Sequence, residues 1–276
     1  MVVVRSRLQG MANVVITGGT NGIGKSLAVR LAREGHRVVV VGRSAVAPAG
    51  VELVRGDLGT VAGTAAVGDE VAARFDVVDR LVLGAGTFNR RRVVTADGLE
   101  HTFALHAVSR FGLVERLLPL LERSSSPVVV SMCGVGGLRG PGIQWDDMAL
   151  ARRYRAFLAV SQAARATELI GVGFAGRHPD SAVRYVLHNP MFVDSGLGAH
   201  VGGVRGRALD LVAKLFAKSV GRAADQVHRF LMDPPAAPVT ASRAGKPIAL
   251  GAELDQAADR LYAVLDTITA RCAPAD

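Results

Sequence analysis

The sequence holds only two cysteines, Cys133 and Cys272, far apart in the chain. So small and scattered a set excludes a disulfide framework or a cysteine-built metal cluster, and it fits a reducing cytoplasmic setting. Aromatic residues make up 5% of the chain, and the arginines behind the formal net charge of +9 are dispersed. Without a basic stripe or a row of rings, nucleic acid is not an expected partner. That charge reads as a solvated basic surface that also favours an anionic ligand such as a phosphorylated cofactor. The opening MVVVRSRLQGMANVV has too short an apolar run for a signal peptide, and nothing nears the roughly 18 apolar residues of a membrane span. Met11 can serve as the start, which leaves residues 1–10 as a flexible extension before a single domain over 11–276.

What is present suffices for one large core, since 49% of the 276 residues are hydrophobic and 21% charged. Short Val/Ile-rich runs predict strands at Asn13–Thr17, Arg37–Val41, Val51–Val54, Arg80–Leu83, Val128–Ser131 and Ala182–Leu187, each buried on both faces. Between them, a period of 3.6 residues predicts helices at Lys25–Glu34, Thr60–Arg74, Leu99–Glu122 and Ala149–Ile170. This alternation predicts a doubly wound parallel α/β sheet of Rossmann type. Two further amphipathic helices, Val204–Ser219 and Leu254–Ala270, form a small C-terminal helical cap, separated by the Pro-rich MDPPAAPVTASRAGKP, which reads as a surface loop.

The first strand runs into ITGGTNGIGKSLAVRLA, which places Gly18, Gly22 and Gly24 at a strand-to-helix turn. Glycines there let backbone approach a pyrophosphate, whose charge then sits on the free N–H groups of the helix start, with Thr20, Asn21 and Ile23 lining the same turn.

The spacing Thr17-Gly18-x-x-x-Gly22-Ile23-Gly24 resembles the short-chain dehydrogenase/reductase superfamily. Where members that use NAD place an acidic residue after the second strand, this chain has Arg43, so the resemblance implies NADP(H). Asp57 and Leu58 match the pair set against the adenine ring, and Gly84, Ala85 and Gly86 match the segment after the fourth strand. The run TADGLEHTFALHAVSRFGLVERLLPLL is similar to the retinol-dehydrogenase-like branch, and VLHNPMFVDSGL resembles the segment that edges the nicotinamide, which implies Pro190, Val193 and Ser195 there. Met191 stands in that segment where glycine is usual.

Hydride transfer to a carbonyl builds charge on its oxygen, and the family meets that charge with Asn, Ser, Tyr and Lys. Here His106 falls on the Asn position and Met132 on the second, catalytic, serine. Tyr154 is followed four residues on by Leu158, not lysine. A register anchored on Asp147, Tyr154, Ala159 and Ala166 makes Tyr154 the branch's upstream tyrosine and puts Val160 and Ala164 at the Tyr and Lys positions. Lysine is absent in either register, and valine and alanine donate no proton. Three residues are therefore candidates for chemistry: His106 as an acid or base near pH 7, Tyr154, and Asp147. Cys133 reads as a small buried residue, and Asp146 and Asp147 also suit a helix cap.

Three functions fit. One is an atypical NADP(H) reductase of a conjugated or quinone-like small molecule in secondary metabolism. The second is a redox-neutral cyclase, dehydratase or isomerase, and the third a non-catalytic NADP-binding scaffold. The resemblance also implies a homodimer built through the helices Leu99–Glu122 and Ala149–Ile170.

Overall fold

A computed structural model describes residues 10–136, 140, 142–191 and 220–271. The expected extension 1–10 lies outside these but for residue 10, and so do the expected helix Val204–Ser219 and the positions of Val193, Ser195 and Cys272.

Eight strands form one sheet in the order β3-β2-β1-β4-β5-β6-β7-β8. They are β1 Asn13–Thr17, β2 Arg37–Gly42, β3 Glu52–Arg55, β4 Arg80–Leu83, β5 Val128–Met132, β6 Arg184–Asn189, β7 Val239–Arg243 and β8 Lys246–Ile248. All neighbours pair in parallel except β7 with β8. The helices are α1 Gly22–Arg33, α2 Val61–Ala72, α4 Ala156–Arg177, α5 at 220–232 and α6 Asp255–Arg271. Between α2 and α4, α3 runs as His101–Phe103, a π turn Ala104–Val108, and Ser109–Leu121.

Strand alternation divides the core in two. Val15, Val39, Leu81, Leu83, Val129, Tyr185 and Leu187 pack against α2, α3, α4 and α6. Val14, Ile16, Val38, Val40, Val82, Val130 and Val186 face Leu27 and Leu31 of α1 and Val227 and Leu231 of α5. Successive side chains of a strand point to opposite faces, so continuous valine runs are what a sheet covered on both sides requires.

Two expectations change. The Pro-rich stretch after Met232 is not all loop: β7 adds in parallel to β6, and Ala244 and Gly245, with φ of 51° and 81°, turn the chain back into β8. Pro247 is tolerated because β8 is an edge strand, where a missing N–H leaves no ladder partner unmet. The helix expected from Ala149 begins instead at Ala156. Asp147 accepts from the N–H groups of Ala151 (2.8 Å) and Arg152 (3.0 Å), and this side-chain turn competes with helix in the intervening residues. At its other end α4 continues to Arg177, stopping just before Pro179.

Candidate functional site

Where β1 ends, Thr17 Oγ1 accepts from the N–H groups of Gly84 (3.0 Å) and Ala85 (3.2 Å), which ties the β1 and β4 turns together. Gly18 has φ +69°, and a Cβ there would lie 2.8 Å from Ala85 N. A Cβ on Gly24 would lie 2.5 Å from Gly18 O, so α1 can start this close to β1 only because position 24 is glycine. Gly22 turns at φ +55°, and Asn21 makes no side-chain cap. The first-turn N–H groups of α1, among them those of Gly22 and Ile23, are left available for an anion. Thr20 sits over Gly42, whose Cβ would meet its methyl at 2.9 Å. Arg43, exposed, follows directly after β2. Beyond β3, Asp57 is exposed with Oδ1 accepting from Gly59 N–H at 2.9 Å, and Leu58 is buried. Pro190 closes β6. Met191 after it has φ +70°, the left-handed backbone that explains why glycine is usual there. The glycine turn, Arg43, Asp57, Leu58, Gly84, Ala85, Gly86 and Pro190 all lie at the carboxyl ends of the strands, beside the point where the strand order reverses. An open groove of about 550 Å³ runs along α1 past Lys25, Arg30 and Arg33 and shares only Gly22 with this region.

The sheet faces alter the catalytic end. Met132 packs on the α1 and α5 side, and a Cβ on Gly84 would lie 2.3 Å from its methyl. Ser131 and Cys133 point to the α3 and α4 side. Met132 is therefore replaced by Cys133 as the residue turned toward α4 where a serine was sought. Cys133 is a free thiol, partly accessible, with its pKa pushed up to about 11 by burial and drawn back by the Val135 N–H and Arg110. It is a neutral thiol at pH 7.

His106 lies in the π turn of α3, with Nε2 accepting from Thr87 N–H at 3.1 Å and its ring against Gly86. Burial and then the Arg110 guanidinium hold its pKa down to about 3. The ring is therefore neutral at pH 7, with its Nε2 lone pair engaged by the Thr87 N–H. Tyr154 precedes α4 and donates to Asn89 O at 2.6 Å. Burial of Asp147 opposes its charge, but the Arg152 and Ala151 N–H groups outweigh it and hold the carboxyl below its ordinary range. Both residues fasten local turns, and α4 itself presents Val160 and Ala164 one turn apart on a part-exposed face. Beneath them, buried Gln162 accepts from Gln144 N–H (2.9 Å) and donates to Met148 O (2.8 Å), pinning the segment that carries Trp145 and Asp147.

The sequence reading passed over Arg110, which is 2% exposed and donates to Ser131 Oγ, Met132 O and Ala85 O. A signal existed, because Arg110 falls on the apolar stripe Phe103, Ala107, Val114, Leu117 and Leu121 of α3, all buried.

A family model described as short chain dehydrogenase matches residues 12–145. The chain is 28% identical over 226 residues to the "Rhamnolipids biosynthesis 3-oxoacyl-[acyl-carrier-protein] reductase" of Pseudomonas aeruginosa, covering 72% of this chain and 85% of that one. It is 30% identical over 201 residues to the "Putative daunorubicin C-13 ketoreductase DnrU" of a Streptomyces species, covering 67% of each. The fold is shared with the Pseudomonas aeruginosa RhlG/NADP active-site complex, at a TM-score of 0.57 and 21% identity over 77% of this chain and 89% of that one.

Proposed function

Since the chain belongs to the short-chain dehydrogenase family, we propose that it is an NADP(H)-dependent reductase of a conjugated or quinone-like small molecule. The observation that carries this reading is a glycine turn with Arg43 and Asp57 at the carboxyl ends of the strands, beside a helix whose part-exposed face carries Val160 and Ala164. Gly18 and Gly24 let the turn and α1 pack closely on β1 and β4, which brings the helix N–H groups to where a pyrophosphate would sit, while Val160 and Ala164 stand where the resemblance puts a Tyr-x-x-x-Lys pair. The α1 N–H groups would hold the pyrophosphate, Arg43 the 2′-phosphate, Asp57 and Leu58 the adenine, and Pro190, Val193 and Ser195 the nicotinamide edge. When bound, NADPH supplies a hydride. The chain's own residues then have only to orient a substrate whose delocalised charge needs little protonation.

The surroundings support an apolar substrate, for Phe88, Val93, Val94 and Phe157 are exposed beside the Tyr154 to Asn89 link. A place in secondary metabolism is supported by the names of both relatives. The same missing donor favours a second reading, a redox-neutral cyclase, dehydratase or isomerase. A scaffold that only binds NADP is the third. The test is NADPH binding by calorimetry, followed by absorbance at 340 nm with a quinone and enone panel. Oxidation of NADPH supports the reductase; product without oxidation supports the redox-neutral enzyme; binding alone leaves the scaffold; no binding defeats the reductase and the scaffold.

The expected homodimer meets an obstacle. The outer side of α3 and α4, through which it was implied, is covered by α6: Tyr262 lies against Gly173, stacks edge-on to Phe111 at 5.1 Å and donates to Ile170 O, while Arg177 pairs with Asp266. We infer a monomer, or a dimer through another face. No helix of the described residues is long and apolar enough to cross a membrane, and a cytoplasmic location remains part of this proposal.

A further inference from the structure

Arg110 is enclosed at the carboxyl ends of β4 and β5. Its Nη1 donates to Ser131 Oγ (2.9 Å) and Met132 O (2.7 Å), its Nη2 donates to Ala85 O (3.1 Å), and Nε–H has no partner. All three acceptors are neutral, and among the described residues no carboxylate pairs with it. A guanidinium has five N–H donors and does not lose its charge, so a full positive charge lies buried without a counter-ion among the described residues. Tying β4 to β5 requires donors but not charge. An uncompensated buried charge is costly, and a negative partner present only in the working state would offset that cost.

Two groups are placed to be that partner's route. Tyr185 is fully buried, and its hydroxyl has no hydrogen-bond partner within ordinary geometry. Cys133 follows immediately on the Met132 carbonyl that Nη1 holds, and unlike Tyr185 it is partly accessible. We propose that Arg110 is the fixed cation of the reaction site, a positioning residue acting through Cys133, which supplies from α3 the charge that Ala164 cannot supply from α4. This rests on the reductase reading for its substrate, though not for its effect on the thiol. Bound NADPH would supply the hydride to an electron-poor carbon, and the displaced π pair would move to the conjugated oxygen. The Cys133 S–H bond breaks, its proton passes to that oxygen, and the thiolate is held by Arg110 until solvent returns a proton. The charged and titratable groups around the sulfur are Arg110 of α3, Glu168 of α4, which opposes the thiolate, and Tyr185 of β6, with His106 on the far side of Arg110.

The test needs no cofactor. With Cys272→Ser, Cys133 becomes the only thiol, and its alkylation by iodoacetamide is followed against pH in the apo protein carrying Arg110, Arg110→Lys or Arg110→Gln. The two variants disturb packing alike but differ in charge. Arg110→Gln is expected to raise the thiol pKa and slow alkylation at pH 8, about tenfold for each unit of pKa, while Arg110→Lys retains most of the rate. Identical titration of the two would overturn the proposal and leave Arg110 as a strand tie. Should Arg110→Gln not fold, Arg110→Met with Ser131→Ala removes the charge and an orphaned hydroxyl together, and the same comparison holds. Failure of the reductase reading is seen separately, as absence of NADPH binding or oxidation in the unsubstituted protein, and it leaves the thiol titration interpretable.

Discussion

Single residues here are governed by burial more than by their ordinary chemistry. His188 is fully buried, and burial holds its pKa down to about 4 against a bond to Gln226 that raises it. Because the folded value lies below the unfolded 6.5, the unfolded chain takes up a proton that the native state excludes. Stability is therefore undiminished above pH 6.5 and falls as the pH drops from there toward 4, by about 1.4 kcal/mol per pH unit. His106, held down in the same way, is expected to extend that fall over a window reaching about pH 3. Urea denaturation at pH 7.5, 6 and 5 measures the slope, and His188→Gln should flatten it. If the slope is unchanged, His188 is not the group that titrates. On the cofactor side, Arg43→Asp is expected to weaken NADPH and favour NADH. Losing charge-assisted bonds of roughly 1.5–3 kcal/mol corresponds to about ten- to hundredfold, and calorimetry with both nucleotides checks it.

Elements show where local signals sufficed and where they did not. β1 and β4 begin and end as their valine and leucine runs indicate, because a strand covered on both faces leaves its whole length apolar. The start of α4 was not legible, since Asp147 diverts the backbone by a bond between side chain and main chain that periodicity does not record. Gln162 then fixes that diverted segment from below. Gln162→Ala is expected to cost about 2–4 kcal/mol through two lost bonds at a buried position. Faster hydrogen exchange confined to residues 144–150 would distinguish loss of the clamp from general loosening. Gly24→Ala drives a methyl toward Gly18 O, and the expected cost is roughly 1–3 kcal/mol with loss of NADPH binding. Thermal melts with and without NADPH read both effects, and a variant that binds normally would deny the cradle its role.

Across the whole molecule, the strand order gathers the candidate site at the carboxyl ends of the strands, and α6 covers α3 and α4. Ala258, Leu261, Tyr262 and Leu265 bury an apolar face on α3 and α4. Light scattering coupled to gel filtration is expected to give about one chain mass of 28.8 kDa. Truncation before Asp255 would bare that apolar face and produce dimers or aggregates. A dimer of the full chain that α6 substitutions such as Leu261→Asp dissolve would reverse the inference. Bound NADPH at about a hundred times its Kd should add roughly 2.7 kcal/mol to stability, visible as a raised melting temperature.

The sequence by itself determined the doubly wound sheet, the glycine turn, Arg43 after β2 and the absence of lysine from α4, since each depends on residue type at close spacing. Only the tertiary structure decided that the Pro-rich stretch yields a strand, because β7 is selected by the open edge of β6 and not by its own composition. It likewise put Cys133 in place of Met132 toward α4, since one residue along a strand reverses the face. The burial of Arg110 was also decided there, because its enclosure comes from β4 and β5, distant in sequence from the helix that carries it.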